Sequence, residues 1–367
     1  MPSTLNGTSS LFFWRGKLWT CVDHGSVRLY ALDTLTASID TQQADSRTIS
    51  DMEEVAQDDE YLYLGDFGNN HSALRNNLRV YRLSKSQLLE KRFRYDTIRF
   101  IYDGYDPAAS NNWTGTPITD YDCEAFVVAG DSLYLFTKQW TGQQTVCYAM
   151  PKTPGRHVAE PIKRFNTQGM VTGASYLPEK RLLVLVGYNS VCQPFAQLLY
   201  DFEGTDFFGG RHQRVSLGLG MGYQVESIAT LDGEHYYMTN ERFDRMGVTR
   251  DPQLWKMDFS DYLHSYLYPD TTQSDTTQNM ELPQISAVGL TVAPNPADRL
   301  MEVRVELPDG QNGGVLLLYD SVGREVLRLK NVSSYQIIDI QGYDPGMYTL
   351  LIICADGRKA SRQVVIR

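Results

Sequence analysis

The stretch that decides the fold is Cys123-Glu-Ala-Phe-Val-Val-Ala-Gly-Asp-Ser-Leu-Tyr-Leu135. It contains a short apolar strand, a polar turn, and a second strand of alternating aromatic and aliphatic side chains. Similar stretches occur at 8–20, 52–64, 171–183 and 225–237, and each is followed by a third strand. The first 267 residues therefore consist of repeated β units.

The spacing of these units predicts a β-propeller. The equivalent positions are separated by 44, 71, 48 and 54 residues, and the longest gap holds an insertion at 103–115. Such distances match a four-stranded propeller blade whose outer strand is more polar, as in 93–102. Five units favour five blades, while six or seven blades stay open if further units are too degenerate to recognise. The aligned positions are Ser9, Glu53, Glu124, Thr172 and Glu226.

A polar segment separates the repeats from the C-terminal part of the chain. Residues 268–279 read Tyr-Pro-Asp-Thr-Thr-Gln-Ser-Asp-Thr-Thr-Gln-Asn and have no hydrophobic periodicity, so we expect them to be exposed and flexible. The predicted organisation is a propeller at 1–267, a linker at 268–287 and a second domain at 288–367. The propeller should stay folded when the second domain is removed.

The C-terminal domain reads as a small Ig-like β-sandwich. Six or seven short alternating strands occur within about eighty residues, for example at 300–307 and 363–367, and Gly- and Pro-containing turns separate them. The predicted fold class is therefore all-β, a β-propeller followed by an Ig-like sandwich. An ordinary adhesive module of the same fold is the alternative interpretation.

Three motifs in this domain resemble the C-terminal sorting domain of the type IX secretion system of Gram-negative bacteria. They are Ala-Pro-Asn-Pro-Ala-Asp at 293–298, Tyr-Asp-Ser-Val-Gly-Arg-Glu-Val at 319–326 and Gly-Met-Tyr-Thr-Leu-Leu-Ile at 346–352. The resemblance implies recognition by the type IX machinery at the outer membrane, and an extracellular or outer-membrane-surface location for the chain.

Composition agrees with export and excludes several classes of protein. The formal net charge of -10 argues against a nucleic-acid binder, and no apolar run is long enough for a membrane span. The start of the chain, Met-Pro-Ser-Thr-Leu-Asn-Gly, lacks the features of a signal peptide, so we expect a mature or trimmed form. Five cysteines leave at least one thiol free, and a bridge between Cys147 and Cys192 stays open.

Propeller topology predicts that polar residues far apart in sequence converge at one end of the central channel. The start of each first strand and the end of each second strand share that rim. The first strands bring Glu53, Glu124 and Glu226, with Asp51 and Asp122 just before two of them. The insertion should add Tyr105, Asp106 and Trp113 over the channel mouth. The second strands bring Asp23, His24, Asp66, Asn69, Asn70, Lys138, Tyr188, Asn189, Asn240 and Glu241.

Oxygen ligands at this density suggest a calcium site formed by Glu53, Glu124 and Glu226. Like charges around one channel repel, and a metal, a cationic ligand or Lys138 would relieve them. The alternative is that these carboxylates only cap backbone groups of the inner strands and face a water-filled channel.

The unit openings also resemble exported bacterial propellers of the phytase-esterase-like kind. The residues that carry this resemblance lie in three units, at 9–11 with 18–20 and 22–25, at 51–56 with Leu-Gly-Asp-Phe-Gly-Asn-Asn at 64–70, and at 225–229 with 239–241. It implies a metal near the channel. His24 and Ser9 depart from the expected pattern, so no catalytic role is transferred.

Two functions follow from different classes. The first is a binding or interaction module that recognises a small molecule, glycan or protein through the rim, with or without calcium. The second is a calcium-dependent hydrolase of the esterase, lactonase or phosphoesterase type, with an acid such as Glu124 or Glu226 moving protons. The sequence offers acids but no evident nucleophile, which favours binding.

Overall fold

Strands form most of the chain, which confirms the all-β prediction. A computed structural model describes residues 1–70, 75–105, 111–113, 116–245, 247–269, 289–306, 314–320, 324–330, 332, 335–354 and 359–367. The chain divides into two compact units, Met1–Thr271 and Thr272–Arg367, named here the ring unit and the tail unit.

The ring unit begins with two four-stranded antiparallel sheets whose strands follow one another in chain order. The strands of the first sheet are β1 (Thr8–Trp14), β2 (Lys17–Val22), β3 (Gly25–Leu32) and β4 (Ile39–Ile49). The strands of the second sheet are β5 (Met52–Gln57), β6 (Tyr61–Asp66), β7 (Arg79–Ser84) and β8 (Tyr95–Tyr102), with helix α1 (Lys85–Leu89) before β8.

The third and fourth sheets repeat this order after a short hairpin of β9 (Asn111–Trp113) and β10 (Thr116–Ile118). Strand β8 and the last strand of the third sheet, β14 (Gly155–Phe165), pair in parallel and join the second and third sheets into eight strands. The third sheet contains β11 (Asp122–Ala129), β12 (Ser132–Lys138), β13 (Thr145–Pro151) and β14 (Gly155–Phe165). The fourth contains β15 (Met170–Leu177), β16 (Leu182–Tyr188), β17 (Pro194–Tyr200) and β18 (Arg211–Ser216).

The fifth sheet has three strands among the described residues, so the polar fourth strand of the other units is not seen in it. A hairpin of β21 (Phe243–Arg245) and β22 (Val248–Arg250) interrupts it, and helix α2 (Ser260–Leu267) follows. Short 3₁₀ helices lie at Ser3–Leu5 and Pro178–Lys180. The strands of the fifth sheet are β19 (Val225–Thr230), β20 (His235–Asn240) and β23 (Gln253–Asp258).

The first strands of the five sheets contact one another in a closed cycle, β1 to β5, β5 to β11, β11 to β15, β15 to β19, and β19 back to β1. A separate apolar core fills each of the five spaces between neighbouring sheets. Both faces of these sheets are therefore covered, which explains why all seven residues of β16 are buried. The N-terminal segment helps to close the ring, since the Arg242 amide donates to the Asn6 carbonyl at 2.8 Å.

The tail unit has two antiparallel sheets that share one apolar core. In pairing order, the first sheet contains β24 (Gly289–Ala293), β25 (Leu300–Glu306) and β28 (Tyr335–Asp339), and the second contains β27 (Glu325–Lys330), β26 (Gly314–Tyr319), β29 (Gly346–Cys354) and β30 (Lys359–Ile366). Asn295, between the two prolines of the first motif, accepts from the Val365 amide at 2.8 Å and donates to the Gln363 carbonyl at 2.9 Å. This side chain ties the entry of the unit to its last strand.

Some predictions concern residues that the structure does not describe, and one concerns a disulfide bridge. The predicted linker at 268–287 lies outside the described residues apart from its first two, and so does Asp106 of the insertion. The side chain of Trp113 is likewise outside them. The bridge left open between Cys147 and Cys192 is not formed, because both residues are free thiols.

Candidate functional site

The first strand of every sheet in the ring unit contains a β-bulge near its N-terminal end. In the second sheet, Met52 pairs with Asp66 and Glu54 pairs with Gly65, which leaves the intervening residue without a partner. A bulge adds one residue to a strand and re-aims its side chain. The bulged residues are Ser9, Glu53, Glu124, Thr172 and Glu226. These are the positions that the sequence repeat aligned, so that alignment is confirmed.

A buried ion pair lies at this end of the ring, which we call the mouth. The Lys138 ammonium donates to both carboxylate oxygens of Glu124, each at 2.6 Å, and both side chains are 3% exposed. The ammonium also lies 4.8 Å from the centre of the Trp140 ring and 5.2 Å from that of Tyr188. Burial alone would lower the pKa of Lys138, but the charge of Glu124 raises it well above its ordinary value. Lys138 therefore keeps its proton and its positive charge near pH 7.

Further carboxyl groups surround this pair, and burial raises their pKa values. Burial raises the pKa of Glu226 well above its usual range, the charge of Glu124 adds to the effect, and the two carboxyls are hydrogen-bonded. Burial and the Glu124 charge likewise raise the pKa of Glu53. Burial therefore favours the neutral form of Glu226 and of Glu53. We name as the mouth cluster Asp51, Glu53, Asp122, Glu124, Lys138, Glu226 and Glu241.

Three members of the cluster titrate close to neutral pH. Burial, with the charge of Asp122, raises the pKa of Asp51 to about 6. Burial, with the charge of Glu124, raises the pKa of Asp122 to about 6 as well. Burial raises the pKa of Glu241 to about 7, against the opposing effect of Lys138. These three carboxyl groups can therefore gain or lose a proton between about pH 6 and about pH 7 when a charged ligand binds.

Asp66, the last residue of β6, and the loop that follows it border the cluster. Asn70 reaches the cluster, since its amide lies 3.3 Å from Glu124 Oε1. Asp66 is fully buried and pairs with Arg75 and Arg79, at 3.0 and 2.8 Å, so it anchors the loop. Asn69 donates from its side chain to the Tyr105 hydroxyl at 3.1 Å. Of these three predicted rim residues, only Asn70 forms a side-chain to side-chain hydrogen bond with the cluster. The Asn69 backbone amide donates to Asp122 Oδ1 at 2.7 Å, and Asp66 Oδ1 accepts from the Asp51 backbone amide at 3.0 Å.

The remaining predicted rim residues have different surroundings. Asn240 is buried and bonded within its own sheet, where its side-chain oxygen accepts from Trp255 Nε1 at 2.8 Å. The side chain of His24 is 76% exposed and is bonded to Asp23. The charge of Asp23 contributes to the raised pKa of Glu241, so Asp23 lies at the edge of the cluster.

Two residues at the mouth were missed by the sequence analysis. Trp140 donates from its indole to Asp122 Oδ2 at 2.8 Å and covers Lys138, but it follows the strand end by two residues. Glu54 is buried, and its only signal in the sequence is that two glutamates stand side by side in a strand that should be apolar. A buried carboxyl of this kind needs partners.

Glu54 closes the central channel. Its carboxyl accepts from the Ala174 amide at 3.2 Å and from the Val55 amide at 3.0 Å, and it is bonded to Ser10. Strands β5 and β15 are not neighbours in the ring, so the bond to Ala174 must cross the channel. Burial raises the pKa of Glu54 well above its usual range, which favours the neutral form of the acid that makes this link.

A cavity of about 660 Å³ lies on the other side of Glu54, at the C-terminal ends of the first strands. Its walls come from all five sheets and include Phe13, Val128, Tyr176 and Leu231. None of the charged residues of the mouth cluster lines it. We place the candidate site at the mouth because the mouth combines buried charge with titratable groups, whereas this cavity is mainly apolar.

Metal ligation was expected of Glu53, Glu124 and Glu226. Among the residues that the structure describes, no group of three or more His, Cys, Asp or Glu side chains is arranged to hold a metal ion. Lys138 supplies a positive charge to both oxygens of Glu124. The calcium site stays a prediction.

Comparison with known proteins identifies the tail. Residues 291–367 match the family described as the secretion system C-terminal sorting domain, which confirms the resemblance drawn from the three motifs. The chain therefore carries a type IX sorting domain and is secreted to the cell surface or beyond. None of the helices among the described residues is long and apolar enough to cross a membrane. No curated protein sequence matches the chain.

The solved structures that are similar to the chain share little sequence identity with it. Hydrazine synthase of Kuenenia stuttgartiensis is 12% identical, with 74% of this chain and 82% of that chain covered and a TM-score of 0.41. The Dos1 propeller is 11% identical, with 97% and 77% covered and a TM-score of 0.36. An exo-β-1,3-galactanase of Phanerochaete chrysosporium is 8% identical, with 98% and 94% covered and a TM-score of 0.43. The resemblance to phytase-esterase-like propellers is not confirmed by these matches and stays a prediction.

Proposed function

We propose that this exported chain is a binding module, that its ring unit is a five-bladed β-propeller, and that the mouth cluster holds the ligand. The closed cycle of contacts among five first strands supports the blade count. The two sheets around one core support an Ig-like sandwich for the tail unit, which addresses the chain to the type IX machinery.

The observation that carries the proposal is the buried Lys138–Glu124 pair inside a group of carboxyls whose pKa values burial raises. Neutral acids both donate and accept hydrogen bonds, and they ionise when a positive charge approaches. The ligand is therefore one that offers amino or hydroxyl groups, or a cation such as calcium. Glu124 favours binding over catalysis, because both of its oxygens already accept from Lys138 and it is not free to act as a nucleophile.

Calorimetric titration of Ca²⁺ into the chelated full chain tests the cation part of this proposal. Binding of a cation should lower the carboxyl pKa values and release protons, so the measured heat should depend on the ionisation enthalpy of the buffer between pH 6 and 7. Glu124→Gln and Glu226→Gln should each weaken binding. If Ca²⁺ gives no heat of binding and does not change the melting temperature, the predicted calcium site is wrong. Oligosaccharides and amines are then titrated in the same way.

A hydrolase at the same face is the second candidate, and Glu226 is the residue that favours it. A protonated carboxyl beside an ionised one is the arrangement used for general acid catalysis. Esterase, lactonase and phosphoesterase substrates should then be turned over, with loss of activity in Glu226→Gln. Absence of turnover across such a panel, together with saturable ligand binding, would decide for the binding module.

A further inference from the structure

Three arginines lie side by side where the second and third sheets join. Arg79 on β7 is in register with Arg99 on β8, and Arg99 is in register with Arg156 on β14. Residues paired in this way project from the same face of a sheet, and like charges directly opposite one another are destabilising. A negatively charged group next to this row would therefore stabilise it.

Only one end of the row is neutralised within the described residues. Arg79 pairs with buried Asp66 at 2.8 Å. Arg99 and Arg156 are exposed, and neither forms an ion pair with any residue that the structure describes. Two adjacent guanidinium groups therefore have their donors directed to solvent or to a ligand.

The row lines a cavity of about 490 Å³. Asn76, Asn77 and His157 contribute the other polar groups, and none of the described lining residues is acidic. This composition is unusual for a chain in which 44 acidic residues outnumber 34 basic ones. The cavity is thus a local concentration of hydrogen-bond donors and positive charge.

An apolar pair lies beside the arginines. Ile101 and Val158 are in register on β8 and β14, two residues beyond Arg99 and Arg156, so they lie on the same face. They are 49% and 43% exposed. Exposed aliphatic side chains next to paired guanidinium groups suit a ligand with an anionic group on a less polar body.

We infer that this cavity is a binding site for an oxyanion, a carboxylate, sulfate or phosphate group. Arg99 and Arg156 donate to its oxygens, since planar guanidinium groups match such anions in a bidentate way. The site is separate from the mouth cluster, because it lies on third and fourth strands rather than at the starts of the first strands.

Calorimetric titration of the full chain at low ionic strength with sodium sulfate, sodium phosphate and galacturonate tests this inference. Arg99→Gln and Arg156→Gln should each weaken binding about tenfold or more, the usual effect of losing a charged hydrogen bond. Added NaCl should weaken binding in the parent. Arg94→Gln is the control, because Arg94 is exposed and just precedes the same strand. Glu124→Gln should leave anion binding unchanged, which separates this test from that of the proposed function.

Thermal unfolding without anion separates a lost site from a lost fold. Removing one arginine relieves repulsion, so both glutamine variants should melt at or above the parent temperature. Tighter binding of galacturonate assigns a carboxylated saccharide, and tighter binding of sulfate or phosphate assigns an ester of that acid. The inference is wrong if no anion gives a saturable heat, or if the variants bind as the parent does.

Discussion

Replacing Lys138 by methionine removes the ammonium that both oxygens of Glu124 accept from. Methionine keeps an unbranched apolar side chain of similar length, so the packing against Trp140 and Tyr188 is largely retained. The change therefore leaves Glu124 buried without its counter-charge.

The expected loss of stability is large. At the observed separation of 2.6 Å the attraction between the two charges is about 6 kcal/mol for an effective dielectric constant of 20. Desolvation offsets part of this, and breaking a buried pair by removing one partner typically costs about 3–5 kcal/mol. For a unit of this size that corresponds to a fall in melting temperature of roughly 10 °C.

Tryptophan fluorescence is a suitable assay, because all five tryptophans lie in the ring unit. Urea unfolding followed at this signal reports the ring unit without a contribution from the tail unit. The double variant Lys138→Met with Glu124→Gln should recover most of the loss, since it removes both charges.

A matched control is available in the pair Lys163 and Asp206, which lies at 2.8 Å but is 45% and 51% exposed. Lys163→Met should lower the unfolding free energy by less than about 1 kcal/mol. If Lys138→Met has an effect as small as Lys163→Met, the mouth is more solvated than its geometry indicates. The reasoning about neutral carboxyls around it would then be refuted.

Three further outcomes follow from the same structure. Because Asp122 and Glu241 have raised folded-state pKa values of about 6 and about 7, their stabilising contribution is complete below their unfolded pKa values and is lost as the pH rises through the folded ones. A pKa raised by about 2 corresponds to about 3 kcal/mol, so the urea midpoint should fall between pH 5 and pH 8, and Glu241→Gln should flatten that fall. Gly68→Ala would overlap two carboxylates of the mouth cluster and should destabilise the ring unit by about 1–3 kcal/mol, whereas Gly220→Ala, with open space around it, should be nearly neutral. A chain ending at residue 271 should keep the parent's tryptophan transition, and an unfolded ring unit after this truncation would contradict the independence of the two units.

Much of the fold was readable because it is encoded locally. Each unit carries its own alternation and turn, and the five aligned positions fell on five β-bulges. The fifth sheet has three strands among the described residues, and the repeat did not predict this difference from the other four units. The outer strands are polar, so their sequence signal is weak.

The candidate site was predicted only in part. Glu53, Glu124, Glu226 and Lys138 were placed on one rim, and they do lie in one buried cluster. Asp66 and Asn240 were assigned to ligand contact, but both are engaged in bonds that hold the fold. Sequence reasoning could place these residues near the mouth, but it could not tell which side chains the backbone itself uses.

The sequence by itself determined the export of this protein, its all-β class and its repeat, because these depend on motifs and periodicities of neighbouring residues. Tertiary structure alone decided that Lys138 neutralises Glu124, that Glu54 crosses the channel, and that three arginines stand in one row. Each of these depends on the register between strands that are distant in sequence. Burial then sets the charge of each group, and burial is a property of the assembled ring rather than of any segment.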